Sequence, residues 1–195
     1  KRIYMPNHSQ HDFTPETFST IADELKESLG DTKIDYFVGG IGNGSTLLGI
    51  GMRLKELYPE SKILAFEPKN ACPFYVRNKE QWGKYAPQLV PSSEIPEKFT
   101  FHQMPGTGSY GNVDFPFMDK AIASNIIDDI LPVPDADIIA NAKYNDELPA
   151  DEKQGNTSVV ARFISEELAK TVSGKTVISL VYDKADRYGT PRYVK

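Results

Sequence analysis

With 195 residues, 39% hydrophobic and 11% aromatic, the chain can bury one sizeable core and is too apolar for disorder. Its formal net charge of −5, with no basic cluster, argues against nucleic acid and anionic membranes as partners, and no apolar run reaches the length of a spanning helix. A single cysteine, Cys72, excludes a disulfide framework and a multi-thiolate metal site, so a reducing, cytoplasmic setting is expected.

The chain opens on KRIYMPNHSQHDF, without an initiator methionine or a signal-peptide pattern, which reads as a fragment or a processed end. TPETFSTIADELKESLG is an expected helix, in which Thr14 can cap, Pro15 suits the first turn and Gly30 terminates. Phe18, Ile21, Ala22 and Leu25 fall at i, i+3, i+4 and i+7 and form one apolar face. IDYFVGG is a short strand that runs into FVGGIGNGSTLLGIG, residues 37–51, with six glycines. STLLGIGMRLKELYP is a second helix with Ser45 as its N-cap, and SKILAFEP a second buried strand. Strand, glycine loop, helix and strand within about 35 residues make a βαβ unit and point to a parallel sheet.

Beyond it, NACPFYVRNKEQWGKYAP reads as a helix with a ragged end and PQLVPSSEIPEK as a loop. FTFHQM and DDILPV read as strands, with PFMDKAIAS a short helix before the second. DADIIANAKYNDEL and NTSVVARFISEELAKTV are expected helices, and KTVISLVY a final buried strand. The fold class is therefore α/β: an open, mostly parallel, doubly wound sheet with helices on both faces.

In such a sheet ligands bind beyond the carboxyl ends of the strands, where the glycine loop lies. Backbone N–H groups, a helix dipole and the Ser45 and Thr46 hydroxyls would serve a phosphate monoester there. A ligand-free tight turn is the plain alternative, and replacing Gly44 separates the two if affinity falls more than stability. The dinucleotide fingerprint is a near miss. Gly40, Gly42 and Gly44 alternate, but Ser45 stands where glycine or alanine is needed, and Glu67, the candidate ribose acid, comes late. A P-loop is excluded, since no Gly-Lys-Ser/Thr follows. On these residues alone a nicotinamide-dependent dehydrogenase and a phosphate binder are evenly matched.

The remaining chemistry-bearing residues have plainer readings. His8 and His11 stand three apart without a third ligand, so no metal site is expected. Cys72 is expected to pack, His102 to end an inner strand as a hydrogen-bonded residue, and the adjacent Asp128 and Asp129 to be solvated.

The stretch VGGIGNGSTLLGIGMRLKELYPESKILAFEP resembles the fold-type II enzymes of pyridoxal phosphate, most closely the cysteine synthase (O-acetylserine sulfhydrylase) and cystathionine β-synthase family. There a Gly-Thr-Gly-Gly-Thr loop holds the cofactor phosphate. The resemblance places Gly42, Asn43, Gly44, Ser45 and Thr46 in that role toward pyridoxal 5'-phosphate, with Asn43 and Ser45 replacing a threonine and a glycine. HQMPGTGSYGNVDFP is similar to the family segment beside the cofactor, which implies Gly106 near it and Thr107 and Gly108 toward substrate. IIDDILPVPDADIIANA and QGNTSVVARFI follow in family order; in the latter Gly155, Thr157 and Ser158 fit and Val159 replaces a glycine. In GKTVISLVYDKADRYGT, Tyr182 falls at a family proline and Lys184 at the serine that hydrogen-bonds the pyridine nitrogen. A slip of one residue offers Asp183 instead, and the plain reading is a surface Lys184. In YMPNHSQHDF, His8 falls at a glutamine that helps hold the substrate carboxylate, its other reading being an exposed loop histidine.

The resemblance implies β-elimination or β-replacement on a serine-, O-acetylserine- or cysteine-like amino acid by a cytoplasmic homodimer. The Schiff-base lysine of the family lies upstream of the phosphate loop, and Lys1, Lys26 and Lys33 stand in unsuitable contexts. No catalytic residue is therefore assigned. The lysine and the smaller mobile domain are expected before Lys1, residues 1–195 being the large-domain part of a longer chain. The altered loop and Lys184 also fit a non-catalytic relative that binds a phosphate ligand or a protein partner.

Overall fold

The computed structural model describes residues 7–90, 95–107 and 114–188. Four parallel strands, β1 (Tyr36–Gly40), β2 (Lys62–Pro68), β3 (Asp129–Val133) and β4 (Val177–Ser179), lie in the order β3-β2-β1-β4. Among the described residues seven α-helices accompany them: α1 (Phe13–Leu29), α2 (Ser45–Leu57), α3 (Pro73–Arg77), α4 (Pro116–Ala123), α5 (Asp135–Asn141), α6 (Lys143–Glu147) and α7 (Asn156–Thr171). The expected α/β class, with a parallel sheet and helices on both faces, is what forms.

Strand periodicity explains the two-sided core. Alternate residues face opposite sides of a sheet. Phe37, Ile63, Ala65 and Ile130 pack with α1, α2 and α4 on one face. Val38, Leu64, Phe66, Leu131 and Val133 pack with α5 and α7 on the other. A strand buried on both faces has no polar alternation, hence the continuous apolar runs of β1 and β2. Pro132 sits in β3, the edge strand of the described sheet, where a missing N–H breaks no ladder bond.

Several expectations need correcting. Asp12, not Thr14, precedes α1, and Thr14 lies within its first turn. α2 is preceded by Gly44 in a left-handed conformation at φ 88°, which makes Ser45 its first helical residue rather than its cap. The helix expected over NACPFYVRNKEQWGKYAP is only the five residues of α3 after a 3₁₀ turn at Lys69–Ala71. DADIIANAKYNDEL breaks at Ala142 into α5 and α6. FTFHQM forms no strand, and β4 is a three-residue, half-buried edge strand instead of a buried one.

The adjacent acids Asp128 and Asp129 are not solvated. Asp129 is fully buried and accepts the N–H groups of Gly83, Tyr85 (2.8 Å) and Ile130 (2.8 Å). Asp128 pairs with Lys55 at 2.7 Å and Lys62 at 3.3 Å and accepts the Ile63 N–H. Both acids anchor loops to the sheet rather than meeting water.

Candidate functional site

β1 ends at Gly40, and the chain reaches α2 through Ile41, Gly42, Asn43 and Gly44. This loop forms one wall of a cleft of about 900 Å³ at the carboxyl edge of the sheet. The opposite wall is the irregular segment through His102, Gln103, Pro105, Gly106 and Thr107. The walls meet at their backbones: a Cβ on Gly42 would lie 2.7 Å from the Gly106 carbonyl oxygen. His8 and Ser9 close one side, and Tyr182 and Asp183 come from the turn after β4.

The first turn of α2 opens on this cleft through Ser45 and Thr46. A helix leaves its first N–H groups without intrahelical partners, and α2 is long enough, at 13 residues, for a full dipole end. Asn43 Oδ1 accepts both the Ser45 N–H at 3.0 Å and the Ser45 hydroxyl at 2.7 Å. The Asn43 side-chain amide donates to the His8 carbonyl and to Ser9 Oγ, each at 3.3 Å. Asn43 therefore ties the glycine loop to the segment that carries His8.

The strand β4 ends early because side chains replace its ladder. Tyr182 places its hydroxyl 2.9 Å from the Gly40 N–H and accepts that bond. Its own N–H donates to Ser158 Oγ at 2.9 Å, and the Asp183 carbonyl accepts the Gly155 N–H at 3.0 Å. Burial pushes the Tyr182 phenol up to about 12, so it stays protonated. Tyr182→Phe would leave the Gly40 N–H without its acceptor and should cost about 1–3 kcal/mol of stability in urea unfolding. An unchanged midpoint would show that this bond contributes nothing.

The structure brings most sequence-chosen residues together. Gly42, Asn43, Gly44, Ser45, Thr46, Gly106, Thr107, His8 and Asp183 all line the cleft. Lys184 does not; it is exposed and forms an antiparallel bridge with Gln154. Gly108 lies outside the described residues. Reading the sequence alone missed Gln103, Thr157 and Phe18 as lining residues, along with the exposed Phe101. Thr157 sits in the first turn of α7 next to the well-matched Gly155, so the helix start was the signal for it. Gln103 stands in an irregular segment without periodicity and gave none.

Glu67 is buried and accepts the N–H groups of Phe74 at 3.3 Å and Tyr75 at 2.9 Å, at the start of α3. It caps that short helix and is not a cleft-lining acid, which removes the ribose contact from the dinucleotide reading. His102 is on no strand; its Nδ1 accepts the Met104 N–H at 3.2 Å. Cys72 packs in the core, with burial, then the charge of Glu67, pushing its thiol up to about 12. Among the described residues no group of three His, Cys, Asp or Glu could hold a metal ion.

A phosphate-bearing heteroaromatic fits this donor set. The α2 first turn and the Ser45 and Thr46 hydroxyls suit a dianion, while Phe18, Phe115 and Tyr182 offer apolar surface to a ring. Among the described residues Asp183 is the one carboxylate in the lining, away from the α2 loop in sequence.

Comparison with known proteins agrees. A cysteine synthase from Staphylococcus aureus is 26% identical over 195 residues, 97% of this chain and 54% of that protein. A cystathionine β-synthase from Apis mellifera is 32% identical over 111 residues, 57% of this chain and 18% of that protein. The chain thus spans about half, or less, of the length of these curated relatives. In fold it matches an O-acetylserine-dependent cystathionine β-synthase from Helicobacter pylori, with TM-score 0.70, 22% identity, and coverage of 98% of this chain and 54% of that one. A hydrogen sulfide-producing enzyme from Fusobacterium nucleatum matches with TM-score 0.66 and 23% identity, over 95% of this chain and 48% of the other. The family model described as "Pyridoxal-phosphate dependent enzyme" matches residues 1–183, taking in both walls of the cleft and the turn that carries Asp183, and to that family the chain belongs.

Proposed function

We propose that the complete protein binds pyridoxal phosphate in this cleft and catalyses β-replacement or β-elimination on a serine-, O-acetylserine- or cysteine-like amino acid. The observation that carries the reading is the cleft at the carboxyl edge onto which the first turn of α2 opens, with Ser45 and Thr46 in its lining. Relatives named cysteine synthase, cystathionine β-synthase and O-ureido-L-serine synthase support the reaction class.

When bound, pyridoxal phosphate supplies the electron sink for loss of an α-proton and a β-substituent. The residues of this chain hold and surround it. The first-turn N–H groups of α2 beyond Ser45, whose own N–H is held by Asn43 Oδ1, and the Thr46 hydroxyl would hold the phosphate, with Gly42 and Gly44 letting the backbone come close. Ser45 joins them once its hydroxyl turns from Asn43 Oδ1, where it now donates. Gly106, on the facing wall, would lie beside the cofactor, with Thr107 and His8 toward the amino acid. Asp183 would be the residue at the ring nitrogen, where a carboxylate favours the protonated form. Lys184, exposed and outside the lining, takes that place only if the tail turns.

The chain spans about half the length of the cysteine synthase it matches, and the proposal places the Schiff-base lysine and the smaller domain in the part not spanned. A cytoplasmic homodimer completes the proposal. Among the described residues no helix is long and apolar enough to cross a membrane.

The test is Thr46→Val in the full-length protein, which keeps side-chain shape and removes the hydroxyl. Titration with pyridoxal phosphate, followed by its visible absorbance, should show affinity reduced roughly tenfold or more, the worth of one hydrogen bond to a charged group. Wild-type protein that binds no pyridoxal phosphate overturns the reading, and equal affinity in Thr46→Val overturns the placement of the phosphate.

A further inference from the structure

The segment from Phe101 to Thr107 has no regular secondary structure, yet one of its residues is held on both sides. The Gln103 N–H donates to Asp135 Oδ2 at 2.6 Å. The Gln103 carbonyl accepts from Asn156 Nδ2 at 2.7 Å. Asp135 is the first residue of α5 and only 2% exposed, and Asn156 is the first residue of α7. Two helices on one face of the sheet therefore clamp one residue of the cleft wall through both of its flanking peptides. Both main-chain polar groups of Gln103 are spent on that clamp. Its side-chain carboxamide makes no hydrogen bond among the described residues, and Gln103 lines the cleft. The doubly held backbone fixes where this side chain leaves the cleft wall, and its uncommitted amide is free to meet a ligand there.

We infer that Gln103 is a specificity residue whose carboxamide N–H group donates to the carboxylate of an amino acid in the cleft, and that Asp135 and Asn156 are positioning residues that aim it. This rests on the function proposed above. A carboxylate is an acceptor-only group, and the carboxamide brings two donors to it. The aromatic side chains of Phe101 and Phe115 lie on the same cleft and offer apolar surface beside such a bond.

The experiment uses the full-length protein loaded with pyridoxal phosphate and titrated with O-acetyl-L-serine and with L-serine, read by the cofactor spectrum. Gln103→Leu keeps bulk and removes the amide; its half-saturation concentration should rise roughly tenfold, with pyridoxal phosphate affinity unchanged. Gln103→Glu should weaken binding further, since two carboxylates repel. Tighter binding by Gln103→Glu would mean an ammonium at that place and overturns the assignment. Asn156→Asp tests the clamp without risk to the fold, because a carboxylate in the first turn of α7 suits the helix dipole. It turns a donor on the Gln103 carbonyl into an acceptor, so half-saturation should rise while the melting temperature holds. Asp135→Asn keeps an acceptor for the Gln103 N–H and should bind the amino acids better than Asp135→Ala. A wild-type spectrum unmoved by both amino acids overturns the function and this inference with it. A responsive wild type, with Gln103→Leu and Asn156→Asp responding at the same concentrations, overturns this inference alone.

Discussion

Gly44→Ala should destabilise the protein by about 3–5 kcal/mol, measured as a lower urea midpoint, whether or not pyridoxal phosphate is present. Two separate costs add. Gly44 holds φ at 88°, in the left-handed region, where a side chain is strained by about 1–3 kcal/mol. A Cβ there would also sit 2.4 Å from the Met118 backbone nitrogen and 2.7 Å from its Cα. Met118 lies in the first turn of α4, and a backbone atom cannot rotate out of the way as a side chain can. Gly44 is therefore required by α2–α4 packing before any ligand arrives, so a loss of stability on its replacement does not by itself distinguish a plain turn from a phosphate loop. Gly106→Ala supplies the comparison. Its φ is 80°, but nothing lies within 4 Å of the Cβ position, so only the backbone strain of about 1–3 kcal/mol should appear. Equal losses at the two positions would show that the contact with Met118 relaxes freely.

What was legible in the sequence was periodic. The i, i+3, i+4 face of α1 and the apolar runs of β1 and β2 follow from local geometry, and each formed where expected. Legible too was the place of the glycine loop, because a βαβ unit puts it at the carboxyl edge. The failures share a cause: main-chain groups satisfied by distant side chains. FTFHQM alternates like a strand, but it finds no strand to pair with. Thr100 donates to the Asn70 carbonyl, the Phe101 carbonyl accepts from the Asn70 amide, and Gln103 is held by Asp135 and Asn156. KTVISLVY stops pairing at Ser179, and beyond it the Gly40 N–H turns to the Tyr182 phenol and the tail docks on α7. The split at Ala142 lets Asn145 hold both main-chain groups of Gln154. Ser45 was displaced as N-cap because Gly44 takes the left-handed conformation and Asn43 Oδ1 supplies the acceptor. Apart from the Asn43–Ser45 bond, none of these pairings is local enough to leave a pattern in the chain.

Glu67→Gln should flatten the pH dependence of stability. Glu67 is fully buried at the end of β2, and the N–H groups of Phe74 and Tyr75 reach its two oxygens. Pro73 brings no N–H to the first turn of α3, and the Val76 N–H goes to the Cys72 carbonyl, so Glu67 completes the cap of that helix. Desolvation nevertheless outweighs these bonds and raises the carboxyl from 4.5 to about 8. The folded protein therefore keeps a proton that the unfolded chain releases above its ordinary carboxyl range. Stability from this group is full below pH 4.5, falls as pH rises, and levels off once pH passes about 8. Each unit of that difference is worth ~1.4 kcal/mol, so the total reaches roughly 3–5 kcal/mol. Glutamine is neutral throughout and can still accept the shorter bond from Tyr75. Relative to Glu67→Gln, the wild type should lose that amount between pH 4.5 and 8. Asp129 and Asp135, also raised by burial, contribute the same sign to both proteins and cancel in the difference. Urea unfolding at pH 5, 7 and 9 measures it, at about those three values. Parallel stability curves for the two proteins would place the Glu67 proton loss at the same pH in the folded and unfolded chains, and the buried carboxyl would then be charged at neutral pH.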